Sequence, residues 1–143
     1  MVEIAMGNSD MSIFDIKDKD FKGLIYLASP YTHKLLEVEE LRYNLACRAV
    51  KEFMMLGCTV ISPIVHCHLI AVKYGLPGDF TFWKRYNAQL LKNCTAMRVL
   101  KIPGWFNSIG ISNEIVFANR NGIPQEEVDL NGDAYRFIEL AWQ

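Results

Sequence analysis

Short apolar runs separated by helix-length segments constrain this chain more than any other feature. Leu24-Ile25-Tyr26-Leu27-Ala28 follows Gly23 and is closed by Ser29-Pro30, as suits a strand buried in a parallel sheet. A second run, residues 58–61, is closed the same way by Ser62-Pro63. A third covers residues 96–102, ahead of Pro103-Gly104, and a fourth is expected over residues 125–130. Residues 35–56 read as a helix, with Leu41, Leu45, Ala49, Phe53 and Leu56 at threes and fours and Gly57 as the stop. Shorter helices are expected over residues 66–74 and 80–93, and another after Ser112. Strands that alternate with helices predict an α/β fold with a doubly wound parallel sheet.

The 143 residues suffice for a single domain with a substantial core, here expected over residues 23–143. Residues 1–22, with the charge run Asp15-Ile16-Lys17-Asp18-Lys19-Asp20, read as a peripheral arm. No apolar run reaches the ~18–20 residues that span a bilayer, so no membrane partner is expected. The amino terminus lacks a basic stretch followed by an apolar core, so no signal peptide is expected either. Formal net charge is −1, from 15 basic and 16 acidic side chains, with no basic cluster. That balance argues against a nucleic-acid partner. Cys47, Cys58, Cys67 and Cys94 form no CxxC pair and read as buried free thiols of a cytoplasmic protein. His66-Cys67-His68 looks like a metal cluster, but on a helix its two imidazoles diverge by ~200°. With no second cluster, neither a metal nor a cofactor is expected.

The segment from Pro103 to Pro124 carries the chemistry. It leads from the third apolar run into a helical one and holds a lone carboxylate, Glu114, where loop turns into helix. Ser108 precedes Glu114 by six residues, with Gly110 between them. A hydroxyl, free backbone N–H groups and a carboxylate at the carboxyl end of a buried strand suit a phosphate beside a nucleophile. Plainer roles compete: Glu114 as a first-turn helix carboxylate, Ser108 as a cap, Tyr26 as a core aromatic, Trp83 and Trp105 as packing, His66 as structural.

The ordered fragments Ile25–Tyr31, Gly57-x-x-Val60-x-Ser62-Pro63-Ile64, Trp83, Pro103-Gly104-Trp105, Ser108-x-Gly110-x-x-Asn113-Glu114 and Ala118-x-x-x-Gly122-x-Pro124 carry a resemblance. Over roughly residues 23–124 the chain resembles the nucleoside 2-deoxyribosyltransferase superfamily, and within it a small group common in bacteriophages and prophages. The resemblance implies a flavodoxin-like (Rossmann-like) sheet with its pocket at the strands' carboxyl ends. It also implies cleavage of the N-glycosidic bond of a nucleoside or nucleotide. Glu114 matches the catalytic glutamate that attacks the anomeric carbon, and Tyr26 a tyrosine that positions nucleophile or sugar. Ser108 matches a serine that binds the 5′-phosphate in the nucleotide-cleaving branch, and Ser29-Pro30-Tyr31 falls where that branch has a second phosphate loop. Gly110, Asn113, His66, Trp83 and Trp105 complete the expected substrate-binding set, with one tryptophan as a wall for the base.

Asn87, four residues after Trp83, stands where the superfamily usually carries an aspartate that protonates the leaving base. An amide holds a base edge by hydrogen bonds but is no general acid near neutrality. Thr95 and Asn107 also stand where acidic residues are common in the superfamily. Three explanations remain for Asn87: another group (His66 or water) protonates the base, the protein binds a nucleotide without turnover, or the substitution inactivates the chain. The expected activity is a nucleoside 5′-monophosphate N-glycosidase. Base exchange by a deoxyribosyltransferase and nucleotide sequestration by a non-catalytic binder are the alternatives. The resemblance further implies a homo-oligomer, dimer or higher, for which Phe137, Ile138, Leu140 and Trp142 offer an apolar contact.

Overall fold

β1 (Leu24–Ala28), β2 (Thr59–Ile61), β3 (Ala96–Leu100) and β4 (Gln125–Val128) form one parallel sheet, in the order β2-β1-β3-β4. The structure, a computed structural model, describes residues 12, 13, 16, 17 and 22–130. β1 registers Tyr26 against Ile61 on one side and against Met97 on the other. Gly23 permits this start: a Cβ there would lie 1.8 Å from Thr95 Oγ1, so a side chain would push the first strand off the third.

α1 (Leu36–Met55) joins β1 to β2, and α4 (Ile109–Arg120) joins β3 to β4. α2 (Pro63–Tyr74) and α3 (Phe80–Lys92) carry the chain from β2 past β1 to β3. This is the flavodoxin-like strand order over its first four strands, in a single α/β domain. Side chains alternate across the strands and so supply two cores. Tyr26, Ala28, Met97 and Val99 pack with Leu91 of α3 and Ile111 and Ala118 of α4. Leu27 and Leu100 face the other way, against Leu45 and Ala49 of α1. Each large side chain removed from water contributes about 1.5–3 kcal/mol, so the two cores hold the strand ends rigidly under whatever lies above them.

Two helices begin earlier than periodicity alone indicates. α2 starts at Pro63 rather than at residue 66, because Ser62 caps it: Val65 N–H donates to Ser62 Oγ at 3.2 Å. Pro63 fits the first helical position, where its missing N–H costs nothing. α4 starts at Ile109 rather than after Ser112, because Ser108 caps it, with Ile111 N–H donating to Ser108 Oγ at 3.3 Å. β3 and β4 end at Leu100 and Val128, two residues short of the strands expected over residues 96–102 and 125–130. The apolar segment proposed for self-association, residues 133–142, and most of the expected arm lie outside the described residues. Among the described residues no helix is long and apolar enough to cross a membrane.

Candidate active site

A cavity of about 880 Å³ opens above the carboxyl ends of β1 and β3. From β1 the chain leads towards one edge of the sheet and from β3 towards the other, so a crevice forms between the two loops. The cavity takes Ser29 and Tyr31 from the loop after β1, and Gly104, Asn107 and Ser108 from the loop after β3.

Tyr26 is completely buried in β1 and points to the α3/α4 side of the sheet. Its hydroxyl donates to Glu114 Oε2. Glu114 occupies the second turn of α4, past the first turn, which contains no acidic residue. Capping therefore does not explain it. Burial pushes the Glu114 carboxyl up to about 7, against a smaller downward pull from the Tyr26 hydrogen bond. The Tyr26 phenol is itself raised well above its ordinary value, first by burial and then by the neighbouring Glu114 charge. It therefore acts as a proton donor to the carboxylate and not as a tyrosinate. With Oε2 engaged, Oε1 is the oxygen left over. It lies 4.0 Å from where a Cβ on Gly110 would sit, so the missing side chain keeps space open beside that oxygen.

Arg42 ties the two loops together. Its Nη1 donates to the carbonyls of Thr32 at 2.8 Å and Tyr31 at 3.3 Å, and its Nη2 to that of Pro103 at 3.4 Å. The guanidinium is drawn below its ordinary pKa by burial, with a smaller opposing effect of Glu39. Gly104 is required at this junction twice over. Its φ is +94°, and a Cβ would stand 2.3 Å from Arg42 Nη2. Two buried polar atoms of the wall, Ser29 Oγ and Asn87 Oδ1, find no hydrogen-bond partner among the described residues. Left dry, such atoms cost about 1–3 kcal/mol each, so a polar ligand that reaches them gains affinity.

The remaining wall comes from α2 and α3. Trp83 and Asn87 are one helical turn apart on α3 and both line the cavity, with Trp83 Nε1 held by the Pro77 carbonyl at 2.6 Å. From α2 come Ile64, Cys67, His68, Ala71 and Val72, a stripe at threes and fours. His68 is 4% exposed, stacked on Tyr43 with ring centroids 4.1 Å apart. Its Nδ1 meets the Tyr31 hydroxyl at 2.5 Å, and its Nε2 meets Glu40 Oε2 at 2.8 Å.

Of the residues singled out from sequence, the structure gathers Glu114, Tyr26, Asn87, Ser29, Tyr31, Trp83, Ser108 and Gly110 in or directly beneath this cavity. Pro30 is buried behind it. His66, Trp105 and Asn113 do not line it. His66 is exposed on the outer face of α2, because a helix that starts at Pro63 turns residue 68 inward and residue 66 outward. Trp105 packs on the α3/α4 core, and Asn113 points outward and bonds the Ile109 carbonyl of its own helix at 2.8 Å. Thr95 stands at the amino end of β3, across the sheet from the cavity, whereas Asn107 lines it. Among the described residues no three His, Cys, Asp or Glu side chains gather as a metal site.

Sequence reading overlooked Arg42, His68 and Glu40. An arginine between Val38 and Leu45 on the buried stripe of α1 was a legible sign, as was the Ser62-Pro63 start of α2. Residues 23–129 match a family described as a domain of unknown function (DUF1937). The chain belongs to that family. The match runs from Gly23 through β4 and so takes in every element that lines the cavity. No curated protein matches the chain.

Proposed function

We propose that the protein cleaves the N-glycosidic bond of a nucleoside 5′-monophosphate, with Glu114 as nucleophile, in the manner of the nucleoside 2-deoxyribosyltransferase superfamily it resembles. The observation that carries this reading is the Tyr26–Glu114 pair beneath a crevice at the point where the strand order reverses. Cleavage develops positive charge on the anomeric carbon. A half-buried carboxylate with one oxygen held and the other directed to open space stabilises that charge and then traps the sugar as a glycosyl ester. Tyr26 keeps Oε2 fixed, so the attacking atom is Oε1. Ser108 accepts the Ile111 N–H as a cap, yet its own hydroxyl hydrogen remains to donate, and the first turn of α4 adds backbone N–H groups. This rim suits the 5′-phosphate. Trp83 offers a flat wall for the base and Asn87 a polar edge.

Water attacking the glycosyl ester makes the protein a hydrolase; a second base makes it a transferase. Incubating a panel of ribo- and deoxyribonucleoside 5′-monophosphates with the protein, and chromatographing the products, tests the reading. Release of one free base, lost in Glu114→Ala, is the expected result. Equal release by that variant removes Glu114 from the mechanism. A second reading, a non-catalytic nucleotide binder, draws on Asn87, which has no proton to give. Tight calorimetric binding of a nucleotide that stays intact would favour it.

A further inference from the structure

On the glycosidase reading Asn87 has no proton to give a leaving base, and another part of the cavity wall holds a chain of groups able to pass one. Tyr31 lines the cavity, His68 stands behind it, and Glu40 behind His68 reaches solvent with 58% of its side chain exposed. The imidazole is clamped for the purpose: stacked on Tyr43, edge-on to Tyr31, and bonded at both nitrogens. An ionised carboxylate only accepts, so Glu40 holds the hydrogen on Nε2. In the neutral ring Nδ1 then accepts from Tyr31. In the protonated ring Nδ1–H donates to the Tyr31 oxygen, and the phenol hydrogen is released towards the cavity.

We propose that Tyr31 is the general acid that protonates the leaving base, with His68 as the source of the proton and Glu40 as the group that orients His68. The proposal rests on the glycosidase reading above and supplies the step that Asn87 cannot. In the first half-reaction Glu114 Oε1 forms a bond to the anomeric carbon, and the carbon–nitrogen bond breaks with its electron pair going to the base. The Tyr31 proton passes to that nitrogen, and the His68 Nδ1 proton refills the phenol. In the second half-reaction water attacks the anomeric carbon and the ester bond to Glu114 breaks. The water's proton moves to Tyr31 as the phenol proton returns to His68 Nδ1. Atoms and charges close on free base and sugar phosphate, and no external acid is consumed. Burial, followed by Glu39 and Glu40, pushes the Tyr31 phenol up to about 12, so a standing tyrosinate does not interrupt the cycle.

The test compares two leaving groups in the full-length protein: the nucleotide found by the panel, and the 4-nitrophenyl glycoside of the same sugar phosphate, whose leaving group departs without a proton. Tyr31→Phe and His68→Gln are expected to lose about 10²–10³-fold in turnover on the nucleotide. On the nitrophenyl substrate both should lose less than about tenfold, while Glu114→Ala loses both activities. Equal loss on the two substrates, or no loss on the nucleotide, overturns the proposal. So does a rise in KM on both substrates with kcat unchanged, because that marks Tyr31 as a ligand of the phosphate they share. No release of base or nitrophenol by the wild type would instead overturn the glycosidase reading itself. Nitrogen NMR of the His68 side chain reads the relay without turnover. Hydrogen on Nε2 at neutral pH, and an Nδ1 resonance that moves in Tyr31→Phe, are expected. A neutral ring with its hydrogen on Nδ1 overturns the relay.

Discussion

Two tyrosine–carboxylate pairs adjoin the cavity, and they differ in their distance from water. On the β1/α4 side Tyr26 bonds Glu114 directly; Tyr26 is sealed in the core, and Glu114 is half-buried at the cavity floor. On the α1/α2 side Tyr31 reaches Glu40 only through His68, and Glu40 stands in solvent. The enclosed carboxylate titrates near neutrality because nothing but one phenol offsets its desolvation. The exposed carboxylate keeps its hydration and can hold an imidazole in one orientation. Enclosure suits a nucleophile that must meet a cationic centre without water. A chain ending in solvent suits proton traffic. The same residue types thus stand in two different environments according to how far each is from water.

The largest expected effect separates the walls outright. Glu114→Ala should lower base release by more than about 10³-fold on every substrate, activated or not. Retained turnover on the nitrophenyl substrate would make the two walls equivalent and end the comparison. Gly104→Ala attacks the Arg42 junction that joins them. A methyl group at φ +94°, 2.3 Å from the Arg42 guanidinium, should cost about 2–4 kcal/mol in a urea titration. An unchanged midpoint would mean that the two loops are held apart from that contact.

Tyr26→Phe sharpens the comparison on the enclosed side. On the proposed mechanism Glu114 must be ionised, so turnover should rise with pH through about 7. The Tyr26 hydrogen bond lowers that value; without it the acid limb should move to higher pH. Turnover at pH 6 then falls, and the deficit narrows at pH 9. A limb that stays in place would assign it to another group. The smallest effect is on stability. Glu114 keeps its proton up to about 7 in the folded protein but only to about the ordinary 4.5 when unfolded. The folded state therefore binds more protons across that window, and stability falls as pH rises through it. Glu114→Gln has no proton to lose, so its Tm should gain on the wild type by a few degrees between pH 5 and pH 8. A constant difference would show that the carboxyl is better solvated than its surroundings indicate.

Much of the site was legible along the chain because its parts are local. Ser108, Gly110 and Glu114 fall within one loop-to-helix passage, and Tyr26 within the first apolar run. The group around Tyr31 was legible only in Tyr31 itself, because Glu40 of α1 and His68 of α2 meet it only when two helices pack. The starting residue of α2 shows how narrow the margin was. Ser62 and Pro63 set the helix phase, and that phase decides which of His66 and His68 looks into the cavity. Reading the apolar run alone starts the helix three residues late, and it is His68, not His66, that lines the cavity.

By itself the sequence determined the alternation of strand and helix, the parallel sheet, and the passage that carries Glu114. These follow from local periodicity and turn chemistry, which act over a few residues. Only the tertiary structure decided which side chains share the cavity, that Glu114 lies past the reach of a helix cap, and that burial lifts its pKa. Desolvation and side-chain pairing depend on atoms distant in sequence, such as the 88 residues that separate Tyr26 from Glu114, and no local pattern records them.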